Sequence, residues 1–152
     1  MADGTFAKMN KKPCYQLPDG EVLSRRQTNR HHIIFPEQRY KGRLERFEYR
    51  ELSGFIIRMS IPIHKELHAN VRPPIKPSNN TIRAIIAYSQ LLDASSSPYE
   101  NFLDIKSYVN HLSEYAKSDR IREESNKLHF SLTEQDYFIS QGRVDEYYGT
   151  SQ

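Results

Sequence analysis

The sequence NRHHIIFPEQ, residues 29–38, joins two adjacent histidines to a β-branched apolar run that ends at Pro36. A short run of this kind before a proline predicts a strand followed by a turn. A second run, FIIRM at residues 55–59, predicts another strand. Directly after it, Ser60 can cap a helix that has Pro62 in its first turn, where a missing N–H costs little. Together these stretches predict two strands followed by a short helix.

A second pair of histidines lies on this helix, which we expect to end near Asn70. His64 and His68 are four residues apart, and side chains at that spacing share one helical face about 6 Å apart. Both imidazoles can therefore approach one metal ion. Since His31 and His32 open the first predicted strand, two strands and a helix could bring three imidazoles to that ion. The alternative is that these are ordinary surface and core histidines that bind no metal.

Beyond the helix, the sequence predicts a linker and then two amphipathic helices. Three prolines impose an extended conformation on residues 71–79, since proline cannot continue a helix. Apolar residues then recur with the helical period in two runs. The residues of these runs are Ile82, Ile85, Ile86 and Leu92, and then Phe102, Ile105, Val109 and Leu112.

Two further segments carry weaker signals. Residues 118–130 predict a highly charged third helix, and Thr133 with Asp136 has a spacing similar to a capping box, which would begin a fourth. Residues 38–52 fit either a short helix or an extended basic loop. The sequence does not decide between a helix and a loop for that basic stretch.

The chain has 152 residues, enough for a single domain with one modest core. We expect an α+β fold with a small ββα module at residues 29–70, a Pro-rich linker at residues 71–79 and a mainly helical C-terminal half at residues 80–141. Residues 1–28 are expected to form a tail and a turn, and residues 142–152 a second tail.

The composition favours a globular protein without a membrane span. Apolar residues make up 37% of the chain and charged residues 27%, and no apolar run approaches twenty residues. The first residues are basic but are followed by no apolar segment typical of a secretory signal. Cys14 is the sole cysteine and cannot form an intramolecular disulfide, which favours a reducing compartment. We therefore expect a cytoplasmic location.

Charge is distributed unevenly along the chain. Residues 1–76 hold 15 Lys and Arg against 8 Asp and Glu, whereas residues 77–152 hold 7 against 11. A basic half of this kind favours a polyanionic partner, because Lys and Arg neutralise phosphates. Taken alone, the same charges would also suit a solvated surface. The candidates for phosphate contact are Arg30, Arg39, Lys41, Arg43, Arg46 and Arg72.

The motif HHIIFP, a following strand, a Ser-x-Pro helix start and the motif HKELH resemble the His-Me finger nucleases, also called HNH or ββα-metal nucleases. Within that superfamily the resemblance is greatest to the colicin-type bacterial DNases, and it covers residues 30–70. By position, it implies that His31, His64 and His68 bind a divalent metal ion such as Zn²⁺, Mg²⁺, Mn²⁺ or Ni²⁺. It also implies that His32 is the general base.

The sequence departs from the family pattern in two places. Where the family has an asparagine nine residues before the first helix histidine, this chain has Phe55. The Gly-rich turn that follows the paired histidines is replaced by the basic stretch at residues 36–53. Because the family asparagine helps to orient the catalytic imidazole, its replacement bears on catalysis more than on metal binding.

Two functions from different classes follow from these observations. The favoured one is a metal-dependent endonuclease that hydrolyses phosphodiester bonds of nucleic acid, with DNA preferred over RNA as the expected partner. The alternative is a non-catalytic binding or accessory protein, in which a degenerate finger holds a structural zinc ion or no metal. In that case the helical half would recruit a protein partner. Phe55 favours the alternative, and His32 beside His31 favours the nuclease, since a structural metal site needs no base there.

Overall fold

The structure of the protein, a computed structural model, describes residues 13–35, 52–93 and 95–148. The elements in chain order are β1 (Cys14–Gln16), β2 (Val22–Leu23), a 3-10 helix (Arg25–Gln27), β3 (Thr28–His32), β4 (Ile56–Ser60), α1 (Ile61–Asn70), α2 (Asn79–Ser89), α3 (Pro98–Tyr115), α4 (Asp119–Gly142) and β5 (Asp145–Tyr147). The fold is α+β, with two small sheets and a mainly helical C-terminal half, as the sequence predicts. Most of the basic stretch at residues 36–53 lies outside the described ranges.

Strands β3 and β4 and helix α1 pack together as a ββα unit. The two strands pair antiparallel, with Thr28 opposite Ser60 and His32 opposite Ile56. β4 passes directly into α1, because Ser60 keeps an extended backbone and Pro62 occupies the first turn, where its missing N–H leaves no broken hydrogen bond. The predicted helix from Ser60 to Asn70 is therefore confirmed.

The first strand begins and ends earlier than its apolar residues predict. β3 covers residues 28–32, whereas residues 33–35 leave the strand and are buried in the core. Asn29 and Arg30 face solvent, so the start of the strand has no apolar pattern that would reveal it. The apolar run is instead the segment that anchors the end of β3 in the core, and the N–H of Ile33 still donates to the carbonyl oxygen of Phe55 at 2.9 Å.

The two amphipathic helices predicted after the linker are confirmed as α2 and α3. The prediction of separate third and fourth helices is wrong, since α4 runs without a break from Asp119 to Gly142. Its N-cap is Ser118, whose side chain accepts from the N–H of Ile121. Thr133 caps nothing, because its hydroxyl donates to the carbonyl of His129 one turn earlier in the same helix.

The two predicted tails are partly ordered, which corrects the sequence-based expectation. β1 pairs antiparallel with β2 on one side and with β5 on the other, so that Cys14 lies opposite Tyr147. The sheet holds together because Tyr15, Leu23 and Val144 bury one another in a small cluster separate from the main core. The pairing of β1 with β5 joins segments about 130 residues apart, so no local sequence pattern could predict it.

The main core lies between the ββα unit and the helical half. α4 presents Leu128, Leu132 and Ile139 to it, all fully buried, together with apolar residues of β4, α2 and α3. The Pro-rich segment at residues 71–78 is not helical and packs against the fold, with Val71 buried. Within the described ranges, no helix is both long enough and apolar enough to cross a lipid bilayer.

Candidate metal centre

Three of the four predicted site histidines converge at the junction of β3, α1 and α4. His31 projects from β3 and is only 3% exposed, while His64 and His68 lie on one face of α1. His68 Nε2 is 2.9 Å from His64 Nε2, and His64 Nε2 is 3.3 Å from His31 Nδ1. One ring nitrogen from each side chain lies within 4.8 Å of the other two. Residues 33 positions apart in sequence are thus brought into contact by the β3–β4 pairing.

Two of the three nitrogen separations are close to what a shared divalent ion requires. Ligand nitrogens that lie about 2.0 to 2.1 Å from a tetrahedral zinc ion are roughly 3.3 Å apart. The two distances of 2.9 and 3.3 Å are close to this value, and the third pair, His31 and His68, lies within 4.8 Å, so the three rings are near the arrangement that one ion would need. Among the described residues the cluster has three ligands, and three protein ligands with a fourth position open is the arrangement typical of catalytic zinc sites.

Burial favours the neutral form of two of these imidazoles, those of His31 and His64. The pKa of His31 is lowered to about 3, mainly by burial, while its hydrogen bond to Gln135 acts in the opposite direction and the neighbouring histidines add to the lowering. Burial and the charge of His68 lower the pKa of His64 to about 4. A neutral imidazole offers the lone pair that a metal ion needs, so the two groups are in the binding form at neutral pH.

The stability of the metal-free protein should fall as the pH is lowered. In the unfolded chain His31 gains a proton near its ordinary pKa of about 6.5, whereas in the fold it stays neutral down to about pH 3. Between these values the unfolded state binds more protons, so stability is complete above about pH 6.5 and is lost toward pH 3, by up to about 1.4 kcal/mol per pH unit.

Urea unfolding of the metal-free protein across this pH range measures the slope. His31→Gln is the matched control, because it removes this titrating group and leaves every other titrating side chain in place. The variant should show a shallower dependence on pH than the wild type. Equal slopes for the two proteins would contradict the buried, neutral state of His31.

Gln135 of α4 is a site residue that the sequence analysis missed. It is 1% exposed, and its Oε1 lies 2.7 Å from Nε2 of His31. Its position was visible in the sequence as the single amide among the apolar residues of one helical face, since Leu128, Leu132 and Ile139 have the same spacing. A buried polar side chain on such a face needs a partner, and here the partner is a predicted metal ligand.

Asn29 makes a second contact to the cluster from β3. Its side-chain Nδ2 lies 3.4 Å from Nδ1 of His64, the ring nitrogen that faces away from His31. With its amide rotated by half a turn, Asn29 would accept the N–H of this nitrogen and leave Nε2 free for the ion. Two of the three histidines therefore have an amide on the nitrogen opposite the cluster.

His32 and two arginines share a cavity with the cluster. The cavity has a volume of about 360 Å³ and an apolar wall formed by Leu67, Val71 and the prolines of the linker. His32 is half-buried there, and Arg30 and Arg72 are exposed at the margin. The remaining predicted phosphate contacts, Arg39, Lys41, Arg43 and Arg46, lie outside the described residues.

Phe55 stands where the family that the sequence resembles has an asparagine, and it belongs to the core. It is 1% exposed, and its ring packs edge to face on Phe35 with centroids 4.9 Å apart. An aromatic ring offers His32 no hydrogen-bond acceptor of the kind that an asparagine provides. The residue at this position therefore contributes to packing, and any orientation of His32 must come from elsewhere.

Comparison with protein-family models, with curated proteins and with solved structures finds no match to this chain. What the site can do is therefore inferred from its own geometry. It combines three converging imidazole nitrogens, a fourth histidine beside them and two cationic side chains around one cavity.

Proposed function

We propose that the protein is a metal-dependent endonuclease that hydrolyses phosphodiester bonds of nucleic acid, with DNA as the favoured substrate. The observation that carries this proposal is the convergence of His31, His64 and His68 with His32 beside them in one cavity. A metal site that serves only structure is usually closed by four protein ligands. In the part of the chain that the structure describes, three nitrogens converge, and a potential base and a cavity lie beside them.

Each side chain has a distinct role in the proposed reaction. A divalent ion held by His31, His64 and His68 would supply a positive charge that stabilises the leaving oxygen as its bond to phosphorus breaks. His32 accepts a proton from the attacking water, whose oxygen forms the new bond to phosphorus. Imidazole is suited to this step because it titrates near neutral pH. Arg30 and Arg72 hold the phosphates that flank the cleaved bond.

The direct test is to measure metal content and cleavage on the same preparation. Purified protein is analysed for bound metal, stripped, and incubated with supercoiled plasmid in the presence of Mg²⁺, Mn²⁺, Ni²⁺ or Zn²⁺. Nicking that depends on one of these ions supports the nuclease. Tight binding of about one ion per chain without nicking under any condition would contradict the nuclease and support a structural metal site.

Reversal of the charge at Arg72 should weaken DNA binding. Each phosphate that a cation neutralises contributes about 0.9 to the slope of log affinity against log salt concentration. Arg72→Glu should therefore lower affinity for duplex DNA at low salt and reduce that slope by about 0.9, with metal content unchanged. The measurement is a fluorescence-anisotropy titration at several salt concentrations.

Arg83→Glu is the matched control for this prediction. Arg83 is an exposed arginine on α2 and does not line the cavity, yet its reversal changes the net charge by the same amount. Only a small loss of affinity is expected from it. An equal loss in the two variants would show that general charge, and not a contact at the cavity, controls binding.

The second candidate function is a non-catalytic accessory protein, and Phe55 favours it. The side chain at the position of the family asparagine lies in the core, so the ββα unit could hold a structural ion while the helical half binds a protein partner. The two candidates differ in the plasmid assay, since this second function requires no cleavage with any ion.

The proposal includes a cytoplasmic setting. Cys14 is free, and it is the sole cysteine of the chain, so the fold depends on no intramolecular disulfide. A protein of this kind is suited to a reducing compartment.

A further inference from the structure

Gln135 links the helical half of the molecule to the histidine cluster. The residue lies in the middle of α4, 104 positions from His31 in sequence, and its side chain is almost completely buried. It makes three hydrogen bonds, to His31, to the backbone carbonyl of Ile33 and to the hydroxyl of Ser131. All the side-chain atoms of Gln135 that can form hydrogen bonds are thus used inside the fold.

The contact with Ile33 fixes which end of the amide faces His31. A backbone carbonyl oxygen can only accept, so the Gln135 atom 3.2 Å from Ile33 O must be the nitrogen. The same nitrogen lies 3.1 Å from the hydroxyl oxygen of Ser131, which can also accept. Because the amide nitrogen is occupied on that side, the amide oxygen is the atom that faces Nε2 of His31 at 2.7 Å.

An amide oxygen can only accept, and this decides the form of the His31 ring. Nε2 must carry the proton, which leaves Nδ1 without one. Nδ1 is the atom that points at the other histidines, 3.3 Å from Nε2 of His64. The unprotonated nitrogen of His31 is therefore aimed at the place where the proposed ion would lie, before any ion binds.

We propose that Gln135 is a positioning residue for this metal site: it holds His31 in the tautomer and orientation that direct the Nδ1 lone pair at the ion. The inference rests on the proposed metal site and adds to it a residue from outside the ββα unit. Hydrogen-bond partners of metal-bound histidines typically contribute 10-fold to 100-fold in metal affinity. The ββα unit thus depends on α4 for the alignment of one of its three ligands.

Substitution of Gln135 by methionine and by glutamate separates alignment from packing. Methionine fills a similar volume but accepts no comparable hydrogen bond, so Gln135→Met should weaken Zn²⁺ binding by about 10-fold to 100-fold. Glutamate keeps an oxygen for His31 but loses the donor to Ile33. Gln135→Glu should therefore lose stability while it retains Zn²⁺ affinity within a few-fold of the wild type.

Ser131→Ala is the matched control, because it removes a contact on the far side of the amide and leaves the oxygen on His31. Zn²⁺ affinity is measured by titration calorimetry on the metal-free proteins, and stability by urea unfolding of the same samples. Loss of affinity in Gln135→Met alone supports the proposal. Equal weakening in all three variants, in proportion to lost stability, would mean that Gln135 acts only through packing and would overturn it.

Imidazole nitrogen shifts in the NMR spectrum of the metal-free wild type give a test that needs no variant. His31 should show a protonated Nε2 and an unprotonated Nδ1, and the opposite tautomer would overturn the proposal even if Gln135→Met does not fold. Wild-type protein that binds no Zn²⁺ would instead remove the metal site itself. If the wild type binds Zn²⁺ and Gln135→Met binds it equally well, only the role of Gln135 is overturned.

Discussion

His32→Ala is expected to lower DNA cleavage by about 10² to 10⁴ while metal content and melting temperature stay at their wild-type values. His32 lines the cavity beside the three converging nitrogens but is not one of the three. Its removal takes away the proposed proton acceptor without taking away a ligand. The side chain is half-buried and lines the cavity, so we expect its truncation to remove less packing than truncation of a fully buried residue.

His64→Ala provides the contrast, because it removes a proposed ligand from a helix of ten residues. A helix of this length is unstable on its own, and a bound ion that joins it to β3 would contribute to the stability of the fold. Metal content, melting temperature and cleavage should therefore fall together in this variant. Metal analysis, thermal unfolding and plasmid nicking on the same preparations distinguish the two patterns.

Two outcomes would refute the catalytic role of His32. Cleavage that survives His32→Ala would show that another group accepts the proton, or that the activity arises elsewhere. A variant that loses metal and stability as His64→Ala does would show that His32 is a structural residue. In either case the non-catalytic alternative becomes the better account of the ββα unit.

Gly54→Ala is expected to lower the free energy of unfolding by about 2 to 5 kcal/mol, the largest effect on stability that we predict from a single added methyl group. Gly54 precedes β4 and has φ of +90°, a left-handed conformation that costs other residues about 1 to 2 kcal/mol. A Cβ there would also lie 2.7 Å from Ile105 Cδ1 and 2.9 Å from the backbone of Asn101. Overpacking of this kind costs about a further 1 to 3 kcal/mol.

Gly20→Ala separates these two causes. Gly20 has a similar φ of +96°, but a Cβ there would meet only Gln16, at 3.9 Å. Urea unfolding should show a loss of about 1 to 2 kcal/mol for this variant, from the backbone alone. If both variants lose the same amount, α3 does not pack on the turn before β4 as closely as the structure has it.

The parts of the site whose residues lie close together along the chain could be predicted from the sequence. The amino-acid types at Ser60 and Pro62 predict the start of α1. The four-residue spacing of His64 and His68 places these two side chains on one face of the helix. Each of these signals depends on the geometry of one turn of helix, which is fixed by local covalent structure. The fold class followed for the same reason, because it needs only the type and order of such elements.

The parts that depend on distant contacts could not be predicted. The spacing of Gln135 on an apolar helical face indicates that it is buried, but its partner His31 is set only when α4 packs against β3. The pairing of β1 with β5 likewise needs two segments from opposite ends of the described chain. The wrong prediction of a helix start at Thr133 has a similar cause. Burial of α4 along its whole length keeps it continuous through a residue that favours a cap in isolation.

The long separation between His31 and Gln135 has a consequence for biosynthesis. A ribosome makes all three converging histidines first, and at about 5 to 20 residues per second it takes several further seconds to reach α4. During that interval the nascent chain carries the ligands but neither the amide that aligns His31 nor the apolar face that supports β3 and α1. Under the proposed function, DNA cleavage is therefore acquired late in synthesis, and fragments released before residue 135 should lack it.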